Sequence, residues 1–265
     1  MYVHGERARE AIRLQDQASS LVELLHCDTR YLDGDTVLEA GCGTGAQTVT
    51  LARNSPGAAF TSVDLDEPSL FEAANAVREA QVENVVFRRA DILDLPFPPK
   101  SFDHVFVCFV LEHLARPPDA LAAVRRVLKP GGTLTVIEGD HGSAYFHPDS
   151  EFARRAIAAQ VELQARAGGN ANIGRQLYPL VLSAGFEQVH VSPRMVYADG
   201  GKPALVDGFT RRTFTAMVEG VREDVLAARL MPAADFDRGI RDLYRTAEAD
   251  GVFCYTFFKC VAVSV

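Results

Sequence analysis

The chain has no tryptophan, and lysine supplies only four of its 27 cations, at positions 100, 129, 202 and 259. Long apolar runs are missing too. The longest, Val105 to Leu111, falls far short of the ~20 residues that a bilayer-spanning helix needs. The five cysteines, at 27, 42, 108, 254 and 260, include no Cys-x-x-Cys pair, and an odd number argues against a disulfide framework. Met1 to Arg7 carry no apolar stretch of the signal-peptide kind. Positive charge is also short: 27 Lys plus Arg stand against 35 Asp plus Glu, a formal net charge of −8. That balance speaks against a protein that grips nucleic acid by backbone charge alone. Internal repeats and low-complexity tracts are absent. The expectation is a reduced, cytoplasmic protein without a membrane or nucleic-acid partner. The preference for Arg and Ala suggests a GC-rich bacterial genome as the source.

What is present is an ordinary globular mixture, 48% apolar and 23% charged. At 265 residues the chain is long for one domain and short for two, so one domain with an insertion is expected. Residues 6–27 read as a helix, with Leu14, Ala18, Leu21 and Leu25 on one face. Strands and helices then alternate. Strands are expected at 36–40, 59–63, 84–89, 104–109 and 133–138, and helices at about 47–54, 67–82 and 117–128. The Pro-rich stretch Leu93 to Pro99 is expected to be irregular, and Lys129-Pro130-Gly131-Gly132 a turn. Strand, helix, strand, helix at this spacing means a parallel sheet with helices on both faces. Helices at about 149–167 and 174–184 and strands at 188–197 and 252–258 follow, with a mainly helical excursion over 203–249. Such excursions build lids where α/β folds carry their sites.

The turn Glu39-Ala40-Gly41-Cys42-Gly43-Thr44-Gly45 joins the first strand to the first helix, and the second strand ends in Asp64. Glycine lets the backbone turn tightly and come close to a ligand. A carboxylate at the next strand end is placed to hold both hydroxyls of a ribose. Counted from Gly41, the third position of a dinucleotide fingerprint is Ala46, a tolerated variant, so the glycine count alone leaves that reading open. Glu39 tips the balance. A carboxylate beside a pyrophosphate is unfavourable, whereas it suits a ligand bearing an amino group and a sulfonium.

With these residues in view, Val37 to Gly45 resembles the first motif of the class I S-adenosylmethionine-dependent methyltransferases. Asp64 is similar to their ribose-binding acid, and Ala90-Asp91-Ile92 to the element that meets the adenine. Phe102-Asp103 and Phe109-Val110-Leu111-Glu112-His113-Leu114 resemble the fourth-strand motif, and Leu128 to Gly132 the turn before the fifth strand. The branch most resembled is the small-molecule one around ubiquinone and menaquinone methyltransferases. The resemblance covers about residues 36–140. It implies a Rossmann-like, seven-stranded, mostly parallel sheet with an antiparallel last strand, helices on both faces and a helical lid. The single domain would divide into an N-terminal helical arm (1–30), a cofactor-binding core (31–140) and an insertion (199–250). It also implies that Glu39, Gly41 and Gly43 line the methionine half of S-adenosylmethionine. Asp64 and Leu65 would hold the ribose, Asp91 and Ile92 the adenine, and the backbone near Cys108 and Phe109 would close the inner wall.

Methyl transfer from a sulfonium needs alignment first, and a base only where the acceptor must lose a proton. His141, in Glu138-Gly139-Asp140-His141-Gly142 after the fifth strand, is the best base candidate; a partly exposed loop histidine is its plain alternative. His113 is favoured for a structural or cofactor-side role. Asp140, Tyr145, His147, Tyr197 and, on the N-terminal arm, Tyr2 are candidate pocket residues, and Gln17 is a candidate cover for the cofactor, with a solvated polar residue as the alternative. Asp140, His141 and His147 could be taken for a metal cluster, but no second ligand motif accompanies them, so no metal is expected. Arg194, Tyr197, Arg211, Arg212 and Phe214 suggest a grip on an acceptor carboxylate or ring, with a salt-bridged face as the commoner explanation. The expected reaction is methyl transfer to O, N, S or C of a small acceptor, with S-adenosylhomocysteine as product, by a monomer or homodimer. An RNA or protein methyltransferase, or a cofactor-binding module without catalysis, is the alternative.

Overall fold

Short buried strands and amphipathic helices alternate in the order that the apolar pattern predicts. The computed structural model describes residues 21–265. Tyr2, Gln17 and most of the N-terminal arm lie outside them. The strands are β1 (Thr36–Ala40), β2 (Ala59–Asp64), β3 (Val85–Arg89), β4 (Phe102–Cys108), β5 (Leu128–His147), β6 (Glu187–Asp199) and β7 (Val252–Val263), and they lie in the order 3-2-1-4-5-7-6. The pairings β3-β2, β2-β1, β1-β4 and β4-β5 are parallel. Reciprocal backbone bonds join the start of β5 to the end of β7: Gly131 N–H to the Ser264 carbonyl (2.7 Å) and Ser264 N–H to the Gly132 carbonyl (2.8 Å). That exchange is the signature of an antiparallel pair. The Rossmann-like, mostly parallel sheet is therefore as expected.

Each helix between the parallel strands has a local cause. Helix α1 (Thr48–Asn54) buries Thr48, Leu51 and Ala52 and stops before Pro56. Helix α2 (Glu67–Glu79) is capped by Asp66, which accepts from Ser69 N–H, has Pro68 in its first turn, and buries Leu70, Ala73 and Val77. Helix α3 (Pro117–Val127) buries Ala120, Leu121, Val124 and Val127. The apolar face of α3 shares one core with Leu38 of β1 and Val105 and Val107 of β4, all fully buried, whereas α2 lies against β2 and β3.

Three strands differ from the sequence reading. β5 is expected over 133–138 and runs from Leu128 to His147. The Lys-Pro-Gly-Gly turn is absorbed as an irregularity within the strand: Gly131 takes φ +80°, and the β4–β5 register shifts between Phe102 and His104. β4 begins at Phe102, and β7 continues to Val263. Pairing partners extend these strands beyond their apolar segments, which periodicity within one segment does not show.

The described residues group into two compact units: residues 25–139, 173–193 and 258–265, and residues 21–24, 140–172 and 194–257. The sequence reading divides it differently, into a core over 31–140 and an insertion over 199–250. The second unit is ring-rich. Phe209 and Phe214, on a π-helical segment Val206–Thr215, pack against Phe253, Tyr255 and Phe257 at centroid distances of 4.8–6.2 Å. Helices α4 (Glu151–Arg166) and α6 (Ala233–Arg245) also belong to it; α5 (Leu177–Ser183) belongs to the first unit.

In the first unit Lys129 donates to both oxygens of Asp103 (2.8 and 2.9 Å), and Asp103 also accepts from the Thr36 hydroxyl and N–H. The lysine bonds, then the threonine bonds, hold the Asp103 carboxyl below its ordinary 3.8. A depressed carboxylate stabilises the fold above 3.8 and loses that contribution as pH falls. Lys129→Met is therefore expected to lower the melting temperature at pH 7, and the difference from wild type should shrink at pH 3; a constant difference would refute it.

Candidate functional site

The site is built where β1, β2, β3 and β4 end. Glu39, next to last in β1, has its carboxyl buried, and one oxygen, Oε2, accepts from the Thr48 and Ser62 hydroxyls at 2.7 Å each. Burial pushes Glu39 up to about 7, against those two hydroxyl bonds, with Asp64 adding a smaller push. The turn that follows is satisfied internally. Gly41 and Cys42 N–H donate to the Val63 carbonyl (2.8 and 3.0 Å), Gly45 N–H to the Cys42 carbonyl (2.9 Å), and Gly43 N–H to Asp64 Oδ2 (2.8 Å). Asp64 Oδ1 accepts from Asp66 N–H (2.9 Å). One carboxylate at the end of β2 thus fixes both the glycine turn and the start of α2.

The glycines divide by task. Gly45 has φ +79°, and a Cβ there would stand 2.9 Å from Ala73 Cα, so it is required for packing against α2. Gly43 has φ +51°, and a Cβ there would meet nothing within 4 Å. It is the point at which the turn faces open space.

β3 joins the group through Ala90 N–H, which donates to the Asp64 carbonyl (3.0 Å). Asp91 follows; its Oδ1 accepts from Leu93 N–H (2.9 Å), and Ile92 is buried. Leu65 is exposed. At the end of β4, Phe109 takes φ +57°, a left-handed conformation that a bulky side chain holds only under constraint and that clusters at functional sites. Phe109 N–H donates to the Ile137 carbonyl (2.9 Å), which supplies part of that constraint. Burial raises the Cys108 thiol well above its ordinary range, followed by Glu138, Glu39 and Glu112, while Lys259 acts the other way. Glu39, Gly41, Gly43, Asp64, Asp91, Ile92 and Cys108 therefore all belong to one set of strand ends.

The candidate acceptor residues are scattered by comparison. His141 lies on β5 and is buried, which excludes the exposed loop histidine. Its Nδ1 is 2.9 Å from the Tyr255 hydroxyl, its N–H donates to the Ala171 carbonyl, and its ring lies 6.0 Å from Phe214. Asp140 is buried, with its carbonyl accepting from the Ser143 hydroxyl. Tyr145 and His147 are exposed on the same strand, and Tyr145 contacts Met195. Tyr197 is exposed, with the Lys202 ammonium 5.0 Å above its ring. His113 is largely exposed beside buried Glu112. The Arg and aromatic set does not converge: Arg211 pairs with Glu248 and Arg212 with Asp207, while Phe214 is buried. Phe97 and Phe102 pack edge to face at 5.0 Å, as core residues do.

Two residues of chemical interest escaped the sequence reading. Tyr255 stands in a run so apolar that it reads only as strand. Glu138 lies inside the buried stretch Leu134–His141 of β5, and its Oε1 accepts from the N–H groups of Val110 and Leu111 at 3.1 and 2.7 Å. Its signal was available: it is the acid that closes the strand expected over 133–138.

Residues 38–136 match a family model described as a methyltransferase domain. Among relatives, the uncharacterized 37.1 kDa protein in transposon TN4556 of Streptomyces fradiae is 35% identical over 190 residues, 71% of this chain and 54% of that protein. Demethylmenaquinone methyltransferase of Tropheryma whipplei is 41% identical over 115 residues, 43% of this chain and 46% of its own length. The chain thus spans about half the length of these curated relatives. Among solved structures, geranyl diphosphate C-methyltransferase from Streptomyces coelicolor A3(2), in complex with Mg2+, geranyl diphosphate and S-adenosyl-L-homocysteine, is similar with a TM-score of 0.54. It has 17% identity, and the match covers 94% of this chain and 80% of that one. At that identity the likeness concerns the fold.

A buried carboxyl raised from 4.5 to about 7 leaves stability intact below 4.5 and removes it as pH rises to about 7. The loss is about 3 kcal/mol. Glu39→Gln should flatten that part of the stability–pH curve in denaturant unfolding between pH 4 and pH 8. An unchanged slope would show that Glu39 ionises freely.

Proposed function

We propose that this chain transfers a methyl group from S-adenosylmethionine to O, N, S or C of a small organic acceptor, leaving S-adenosylhomocysteine. The observation that carries this reading is the glycine turn whose amides at 41, 42, 43 and 45 are all given to protein acceptors, two of its neighbours being the carboxyls Glu39 and Asp64. Phosphate sites present unsatisfied amides to the anion. This turn offers acids and an open Cα at Gly43 instead, which suits a sugar and positively charged groups.

The residues fit that cofactor. Asp64 uses one lone pair of each oxygen internally and retains acceptor capacity for ribose hydroxyls, with Leu65 beside it. Glu39, Gly41 and Gly43 serve the methionine half, Asp91 and Ile92 the adenine, and Cys108 and Phe109 the inner wall. When bound, S-adenosylmethionine supplies a methyl group already activated by its sulfonium. The chain has to bind, orient and exclude water. Where the acceptor must lose a proton, His141 takes it. His113, Asp140, Tyr145, His147, Tyr197 and Tyr2 are proposed acceptor contacts. The net charge of −8 supports a small acceptor over RNA, and the described helices include none long and apolar enough to cross a membrane. The working picture is a cytoplasmic enzyme, monomeric or homodimeric.

S-adenosylhomocysteine at about 100 times its dissociation constant should stabilise the fold by about 2.7 kcal/mol, read as a rise in melting temperature. No shift with either cofactor form would overturn the reading. With an acceptor in hand, His141→Gln should lower kcat by about two to four orders of magnitude and leave cofactor affinity unchanged. Equal loss of both would make His141 structural.

A further inference from the structure

Glu138 is 0% exposed. Its Oε1 holds the Val110 and Leu111 amides, and so the turn that follows the strained Phe109. Its Oε2 is buried without any hydrogen-bond donor. An ionised carboxylate with one oxygen in that state is costly, and so is a neutral acid whose O–H finds no acceptor. The surroundings do not relieve it. Glu39 from β1 and Glu112 from the turn after β4 act, with Glu138, on the Cys108 thiol between them. Lys259 from β7 is the opposing cation, and its ammonium is bound to the Leu25 carbonyl, Asp28 Oδ1 and Thr29 Oγ1. Burial, then Glu112, raises the Glu138 carboxyl well above the carboxylate range. A donor-less oxygen inside a group of buried acids marks a place where positive charge is wanted.

The proposed cofactor and its product have the adenine, ribose, amine and carboxylate in common. They differ by one methyl group and one positive charge at sulfur. We infer that Glu138 is the residue by which this chain tells the sulfonium cofactor from its thioether product, Oε1 positioning the turn and Oε2 supplying negative charge that only the sulfonium rewards. The inference rests on the cofactor proposed above. It gives the site a way to hold the methyl donor and release the spent product.

Calorimetric titration of wild type, Glu138→Gln and Glu39→Gln with S-adenosylmethionine and with S-adenosylhomocysteine tests it. Glutamine keeps an oxygen for the two amides and removes the charge. Glu138→Gln is expected to weaken the sulfonium form about tenfold and the thioether by less than about twofold, whereas Glu39→Gln weakens both alike. In wild type the preference for the sulfonium should grow as pH rises, and should still grow in Glu39→Gln. That arm stands even if Glu138→Gln does not fold. Equal weakening of both ligands by Glu138→Gln, no weakening of either, or a pH-independent preference would overturn the inference. Binding of neither ligand to wild type would instead overturn the function itself, and this inference with it.

Discussion

The bond from Gly43 N–H to Asp64 Oδ2 is the interaction on which the rest of the site depends. Gly43 belongs to the turn after β1, and Asp64 closes β2. Through its other oxygen Asp64 also holds Asp66, whose side chain caps α2. A single carboxylate therefore sets the turn, the neighbouring strand end and the entry of the next helix. The same device recurs at Asp91, which accepts from Leu93, and at Glu138, which accepts from Val110 and Leu111. At the end of β2, just after β3 and within β5, acid side chains take backbone amides that the sheet ladder leaves unpaired. The amides are satisfied and the negative charge stays at the site. In a low-dielectric setting that charge is strong and does not need to reorganise when a cation arrives.

Much of this was legible in the sequence because the information is local. β1 is expected at 36–40 and lies there; its apolar run, the glycines after it and the acid at the end of the next strand all act within about thirty residues of chain. The parallel order could be inferred from alternation alone, since right-handed crossovers leave few other arrangements.

What was not legible depends on partners far along the chain. The lengths of β5 and β7 are set by their mutual pairing, so the Lys-Pro-Gly-Gly stretch reads as a turn in isolation and lies inside a strand in the fold. That one difference moves His141 from an expected loop to a buried strand position, with a tyrosine 114 residues away in sequence as its partner. Arg211 and Arg212 look like a binding pair on paper, yet each finds its own carboxylate. Glu138 shows the opposite failure. The rule that singled out Glu39 applied equally to it, but the amides it serves belong to a turn whose conformation depends on the left-handed Phe109, which no sequence pattern announces.

The internally satisfied glycine turn bears on competition inside a cell. Adenine and ribose are common property of ATP, NAD and coenzyme A, which are abundant wherever such a protein works. Each carries phosphates, and each phosphate would arrive at a turn whose amides are already occupied and whose nearest charges are carboxylates. The site needs no contact that recognises what is absent from its ligand. On the proposed function, crowding by the commonest adenine nucleotides is resisted by repulsion, while Asp64 and Asp91 would read the nucleoside that all of them present.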